Sequence, residues 1–425
     1  MHGIENIYQH FLSSTGITTD SRNIVSGGMF FALKGERFDG NTYAGKALEM
    51  GASCAVIDDP EYFSGSGCIL VEDVLFSLQE LARHHRQQLS IPLIGLTGTN
   101  GKTTTKELIA RVLSKKFRTH ATIGNLNNHI GVPLTILGIR ENTEIAVIEM
   151  GANHPAEIAH LCSISMPVYG LITNIGKAHL EGFGSFEGVI RAKSELYEYL
   201  DKTGGTAIVN SDNELLMGLS KHLNRLTYGS DRSAGTRAEI INSLPFLVIN
   251  WKGTQIDTQL YGDYNFENIM AAICLGEIFG VTDEDIAEAI TSYIPSNSRS
   301  QLLATASNRI FLDAYNANPS SMLASVNNFE RQPGKGKVLI LGDMLELGSA
   351  AYEEHVKILR TIGSKFETVL LVGPEFMKAS TGLPYHVFNN TAEASDWLKD
   401  NPIEGKDILV KGSRGIALEN LIDLL

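Results

Sequence analysis

A strand-like run, Leu93-Ile94-Gly95-Leu96-Thr97, passes directly into Gly98-Thr99-Asn100-Gly101-Lys102-Thr103 and on into a helix-forming stretch from Lys102 to Lys115. A glycine-rich turn between a strand and a helix turns successive backbone N–H groups toward one point, and the helix N-terminus adds about half a positive charge there. That is an anion cradle. Gly98, Thr99, Asn100 and Gly101 are expected to wrap phosphate, with Lys102 neutralising the β and γ phosphates and the hydroxyls of Thr103 and Thr104 beside it. Thr103 is placed to hold Mg²⁺. The strict P-loop pattern wants glycine at the position of Leu96, whereas this chain carries glycines at 95 and 98. The bland alternative is a tight turn that happens to contain Lys-Thr. The flanking strand and helix favour ATP.

Around this motif, apolar strands and helices alternate, with AVIEMG at 146 to 151, a helix near His154 to Ser163, and YGLITNIG at 169 to 176. Such alternation predicts βαβ units and a mainly parallel sheet covered on both faces. Upstream, MFFAL (29 to 33), CAVI (54 to 57) and CILV (68 to 71), with a helix from Tyr43 to Met50, form a smaller α/β unit. Downstream, VLILGDM (338 to 344), TVLLVGPE (368 to 375) and DILVKGSR (407 to 414) each stop at a glycine-containing loop, where open parallel sheets bind ligands. The expected architecture is therefore α/β in three domains: a small N-terminal α/β domain (1–90), a central P-loop ATPase domain (91–296) and a C-terminal Rossmann-like domain (297–425). Ile294 to Ser298 is the expected polar linker.

The 425 residues suffice for several cores, with 43% hydrophobic and 20% charged residues. A formal net charge of −13 without a basic stripe argues against nucleic acid as a partner, so phosphate must be held by local devices. Four scattered cysteines suggest neither zinc nor a disulfide framework, which suits a reducing cytoplasm. No stretch approaches the roughly 18 apolar residues of a membrane span, so small-molecule substrates and no stable membrane insertion are expected. A monomer is expected as well.

Glu149 closes the AVIE strand and His179 follows the TNIG turn, both at strand ends beside the anion cradle. Mg²⁺ prefers oxygen ligands, so Glu149 is a natural ligand. Taken alone, His179 reads more readily as a hydrogen-bonded structural histidine.

GTNGKTTTKE at 98 to 107 is similar to the P-loop of the Mur ligases and of folylpolyglutamate synthase, and by itself leaves both open. The choice narrows with TDSR (19 to 22), GERFDG (35 to 40), GNLNNHIGVPLT (124 to 135), EMGANHPAEI (149 to 158), TNIGKAHLEGFGSFEGVIRAKSELY (173 to 197), DAYNANPSSM (313 to 322), LGDMLELG (341 to 348) and KGSRG (411 to 415). In order and spacing these resemble the Mur ligase family over nearly the whole chain, most weakly at 205 to 255. The segment after Asp313, Ala-Tyr-Asn-Ala-Asn, looks like the dipeptide-adding branch and lacks the Asp-Tyr-Ala-His of the diamino-acid-adding branch.

The resemblance implies ATP-dependent amide bond formation, joining D-alanyl-D-alanine to a UDP-N-acetylmuramoyl-tripeptide through an acyl phosphate. It implies that Thr19, Asp20, Ser21 and Arg22 lie near the uridine diphosphate, and that Asn125, Asn127 and Asn128 bond the peptide or dipeptide. Glu149 and His179 match metal ligands, with His179 and Lys102 also in catalytic roles. Lys193 matches a lysine that the family carries as a carbamate, here expected both as a metal ligand and as a catalytic group. Asn265 and Asn268 match adenine contacts, although Tyr264 stands where the family more often has His. Arg299 and Asp313 match residues that reach ATP, with Ser298 replacing the usual glycine before the arginine. Lys411 and Ser413 match a loop near the incoming substrate. A nucleotide-dependent switch is the rival from another class; it would hydrolyse ATP without other substrates.

Overall fold

The computed structural model describes residues 3–65, 67–296, 298–334 and 336–425. Asn297, at the expected junction of the second and third domains, lies outside the described residues. Three principal sheets follow one another along the chain.

The first has four parallel strands in the order Ile17–Thr18, Met29–Phe31, Cys54–Ile57, Cys68–Leu70. After it comes a helix that the sequence reading passed over, Val74–Gln88, started by the Asp73 carboxylate accepting from the Phe76 N–H at 2.7 Å. Its Val74, Leu78, Leu81 and Ala82 share one core with Val132, Ile136 and Ile158 of the next sheet's helices. The first unit is thus fastened to the second by buried apolar surface, at roughly 25 cal/mol per Å² removed from water.

The second sheet has nine strands. Its parallel part runs in the spatial order Thr236–Asn242, Asn224–Gly229, Thr206–Asn210, Tyr169–Ile172, Leu93–Thr97, Ile145–Glu149, Thr119–Ala121. Two antiparallel strands, Val248–Trp251 and Thr254–Asp257, extend one edge. The sheet is therefore mainly parallel, as expected, and mixed only at that edge. The central Leu93–Thr97 strand is completely buried, which is why its sequence is a continuous apolar run without alternation. Behind it the P-loop helix, Lys102–Leu113, packs on Phe266–Ile278, a helix apolar on nearly every face because it is buried almost throughout.

The third sheet has six strands in the order Gln301–Ala304, Arg309–Leu312, Asp407–Lys411, Lys337–Gly342, Thr368–Val372, His386–Phe388, parallel except for the first. Its carboxyl ends face the P-loop. Among the described residues, no helix is long and apolar enough to cross a membrane.

Candidate active site between the P-loop and the third domain

A cavity of about 1110 Å³ opens where the carboxyl ends of the second and third sheets meet. One wall carries Thr99, Asn100, Gly101, Lys102, Thr103 and Thr104; the opposite wall carries Arg299, Asp313, Lys411 and Ser413. Asn125, Asn127, Asn128, Glu149, His179, Asn265 and Asn268 also line it.

The P-loop turn depends on two glycines. Gly98 has φ +146° and Gly101 φ +77°, and a Cβ on Gly98 would meet the Thr173 hydroxyl at 2.0 Å. That close approach explains why glycine is needed at 98 itself, beneath the cavity lining. The turn is latched by Asn174, whose Oδ1 accepts from the Asn100 N–H at 2.9 Å while its Nδ2 donates to the Asn100 carbonyl at 3.2 Å. Lys102 Nζ donates to the carbonyls of Gly98 at 2.7 Å and Thr99 at 3.1 Å, so its ammonium is folded back over the turn. Burial lowers its pKa, and the nearby Glu149 charge opposes that shift.

Glu149 is 1% exposed and accepts from the Thr103 hydroxyl at 3.0 Å and from Asn127 Nδ2 at 2.8 Å. Among the described residues no cationic side chain pairs with it at ion-pair distance. A buried carboxylate beside a hydroxyl, with no cation of its own, fits a hard divalent ion. No cluster of three His, Cys, Asp or Glu side chains that could hold a metal occurs among the described residues, so phosphate oxygens and water would complete the ion's ligands beside those the protein brings up.

His179 sits in the left-handed region at φ 50°, and its Nδ1 faces Glu346 of the third domain in close contact. Glu346 belongs to the LGDMLELG segment, for which the sequence supplied a resemblance but no role. Lys193 is 2% exposed, donates to the Ala152 carbonyl at 3.3 Å and lies 5.5 Å from the Phe183 ring centroid. It stands behind Ala152, outside the cavity lining. Burial, reinforced by the charge of Lys102, pushes its pKa down to about 7.

Asp313 and Lys411 were expected to serve different ligands, but their strands are neighbours and their side chains pair at 2.7 Å. Ser325 adds a second donor to Asp313 at 2.7 Å. Ser413, 3% exposed, accepts from the Leu345 N–H at 2.9 Å and donates to the Ala317 carbonyl at 3.3 Å, so it ties loops together. Arg299 stacks on Tyr315, its guanidinium carbon 3.5 Å from the ring centroid. Asn128 Oδ1 accepts from the N–H groups of Ile130 and Gly131, which is the capping role, and Asn127 is committed to Glu149. Asn125 is exposed on the cavity rim.

Thr19, Asp20, Ser21 and Arg22 are not brought to this cavity. Arg22 is exposed and donates through Nε and Nη2 to Asp20 at 2.9 and 2.8 Å, which holds the Asp20 carboxyl down at about 2. Asn318 is a lining residue that the sequence reading did not single out. Its Nδ2 donates to Asn100 Oδ1 at 2.7 Å, bridging the third domain to the P-loop, while its Oδ1 caps the helix Pro319–Arg331. The Asn-Pro-Ser-Ser sequence, a cap followed by proline at the first helical position, is the signal that could have marked it.

Three family models cover this chain in order: the Mur ligase family catalytic domain at residues 13–90, the Mur ligase middle domain at 96–276, and the Mur ligase glutamate ligase domain at 298–414. The chain belongs to the Mur ligase family. Within that family it falls among proteins named UDP-N-acetylmuramoyl-tripeptide--D-alanyl-D-alanine ligase; the Bacillus subtilis one is 37% identical across 96% of this chain and 92% of its own. Among solved structures, MurF from Acinetobacter baumannii matches with TM-score 0.88 at 31% identity, covering 99% of this chain and 98% of that one. MurF ligase from Thermotoga maritima in complex with ADP matches with TM-score 0.85 at 27% identity, covering 97% of each chain.

Proposed function

We propose that this protein joins D-alanyl-D-alanine to UDP-N-acetylmuramoyl-tripeptide at the expense of ATP, as a cytoplasmic monomer making peptidoglycan precursor. The observation that carries the reading is the single cavity with the P-loop on one wall and the Asp313–Lys411 pair on the other. It is supported by the names of the full-length relatives and by the ADP complex of the Thermotoga maritima protein.

The tripeptide's terminal carboxylate attacks the γ-phosphorus of ATP, forming an acyl phosphate as ADP departs. The dipeptide amine then attacks the acyl carbon; the C–N bond forms, phosphate leaves with the C–O electrons, and the amine gives up a proton. Phosphoryl transfer asks mainly for positioning and charge balance. The backbone of residues 98 to 101 orients the phosphates, and Lys102 swings its ammonium from the loop carbonyls to the transferring group. Asp313 and Lys411 enclose the opposite side, excluding water from the acyl phosphate. Thr19 to Arg22 hold the uridine diphosphate end away from the reacting atoms, where Arg22 exchanges Asp20 for phosphate.

Mg²⁺, held by Thr103, Glu149 and His179, with a second Mg²⁺ helped by a carbamate on Lys193, would neutralise phosphate charge. The depressed pKa of Lys193 supports the carbamate, because only a neutral amine adds carbon dioxide. Replacing Lys193 with Ala is expected to lower ligation strongly, with partial rescue by acetate or propionate. Full activity without rescue removes the carbamate from the mechanism.

The deciding assay measures ADP release with ATP alone, then with UDP-N-acetylmuramoyl-tripeptides paired with D-alanyl-D-alanine or with single amino acids. Turnover is expected with the tripeptide and dipeptide together. Equal turnover with ATP alone would mark a nucleotide-dependent switch and overturn the ligase reading.

A further inference from the structure

The third-domain loop from Asp343 to Glu346 is held at every residue. The Asp343 carboxylate accepts from the N–H groups of Glu375 and Phe376, each at 2.8 Å. Met344 donates its N–H to His355 Nε2 at 3.1 Å, and His355 Nδ1 in turn donates to the Ala351 carbonyl at 2.7 Å. Leu345 gives its N–H to Ser413. The loop therefore delivers Glu346 to a fixed place on the second domain. There the Glu181 N–H donates to the Glu346 carbonyl at 3.3 Å, and the Glu346 carboxylate meets His179 Nδ1 in close contact.

Both members of this contact stand in the left-handed region without being glycine, His179 at φ 50° and Glu346 at φ 62°. Such backbone persists only where its surroundings fix it, and it collects at functional sites. His179 Nδ1 is sealed from solvent, with Glu346 as its one polar partner among the described residues. None of those residues bonds its Nε2, and the side chain lines the cavity. A neutral imidazole donates through one ring nitrogen and accepts through the other, so the group on Nδ1 decides what Nε2 can do. His355 in the same loop shows the pattern, with its proton on Nδ1 and an acceptor at Nε2. We propose that Glu346 is a positioning residue that keeps the proton of His179 on Nδ1 and leaves the Nε2 lone pair free for the cavity. Because Glu346 rides on the third domain, it does so only when that domain is docked. The assignment rests on the ATP-dependent ligase reading and deepens it: docking makes His179 an oriented ligand for the Mg²⁺ that accompanies ATP.

The test pairs magnetic resonance of the histidine ring nitrogens with steady-state kinetics, on the full chain and its Glu346→Ala and Glu346→Gln variants. Spectra are taken in EDTA at a pH where histidine is neutral, and a His179→Gln chain identifies the signal. The proton should sit on Nδ1 in the unmodified chain and move to Nε2 in Glu346→Ala. The same Ala variant should lose about tenfold to a hundredfold in kcat and need more Mg²⁺, with little change in KM for ATP. Glu346→Gln, whose amide oxygen still accepts from Nδ1, should keep the proton there and recover most of kcat. A proton on Nε2 in the unmodified chain overturns the proposal, whether or not the Ala variant folds. One tautomer in all three chains also overturns it, as do equal losses for Ala and Gln, which would mark a simple ion-pair latch between the domains. If the unmodified chain gives no turnover with ATP, tripeptide and dipeptide, the ligase reading fails, while the ring spectrum, which needs no turnover, still judges the contact.

Discussion

Lys102 shows how a charged side chain is kept usable without an ionic partner. The Lys102 ammonium rests on two carbonyls, neutral acceptors that give it up more readily than a carboxylate would. Lys102→Ala is therefore expected to keep the fold and lose about 3 to 4 kcal/mol of transition-state stabilisation, or roughly 10² to 10³ in kcat. ADP release set beside circular dichroism checks both halves; near-normal ligation by the folded variant would refute the assignment. Glu267 carries a different signature. Burial, with the charge of Asp212 added, raises its pKa to about 7. Its folded value thus exceeds its unfolded one, so the fold binds more protons than the unfolded chain between about pH 4.5 and 7, and the Glu267 contribution to stability falls as pH rises through that window. Glu267→Gln should accordingly be more stable than the parent above pH 7, by on the order of 1 to 2 kcal/mol, with the gap closing toward pH 4.5. Urea unfolding without nucleotide at several pH values reads this, and a gap independent of pH would contradict it.

At the scale of elements, the helix Pro319–Arg331 is the joint between the third domain and the P-loop. Its cap residue Asn318 serves both ends, with Oδ1 on the Ser321 N–H at 3.0 Å and Nδ2 on Asn100 at 2.7 Å. Asn318→Ala should cost about 1 kcal/mol through the lost cap. Asn318→Asp keeps an oxygen for the cap but removes the donor to Asn100. The aspartate variant should therefore retain stability while the KM for ATP rises. Thermal unfolding and initial rates separate the two effects; identical kinetics for the Asp variant and the parent would show that the bridge has no part in nucleotide binding. The same logic explains the Val74–Gln88 helix, which belongs by sequence to the first unit and buries its apolar face against both the first unit and the second. There Gln79 Nε2 donates to the His129 carbonyl at 3.0 Å, steadying the Asn-rich loop at the cavity rim.

For the whole molecule, the third domain already touches the second through several polar contacts. Among them are Asn318 with Asn100 at 2.7 Å, Lys177 with Glu354 at 3.1 Å, Arg331 with Asp263 at 2.7 Å, and His179 with Glu346. Lys177 is exposed, and a bridge of that kind is worth roughly 0 to 1 kcal/mol. Such contacts can hold a closed arrangement only weakly, and ligands spanning both walls should add most of the closing energy. Small-angle scattering is expected to show compaction when nucleotide and muramoyl substrate are added together. Lys177→Glu should enlarge the radius without ligands and narrow toward the parent with them. An unchanged radius at full occupancy would count against closure as part of turnover.

What the sequence determined by itself is what local chemistry enforces. The P-loop follows from glycines that alone tolerate the turn, and the buried strands from apolar runs at 93 to 96, 338 to 342 and 408 to 410. The antiparallel edge at 248 to 257 was not legible, because short alternating strands acquire their pairing only from the neighbour they meet. The site divides in the same way. The residues themselves announced Lys102 in the P-loop and Glu149 at a strand end, while Asp313 came only from the family resemblance. Tertiary packing alone decided that Asp313 would pair with Lys411, that Asn127 would bind Glu149, and that Glu267 would line the cavity. Each of those outcomes depends on which side chains from distant parts of the chain arrive within about 3 Å, and spacing along the chain carries no information about that distance.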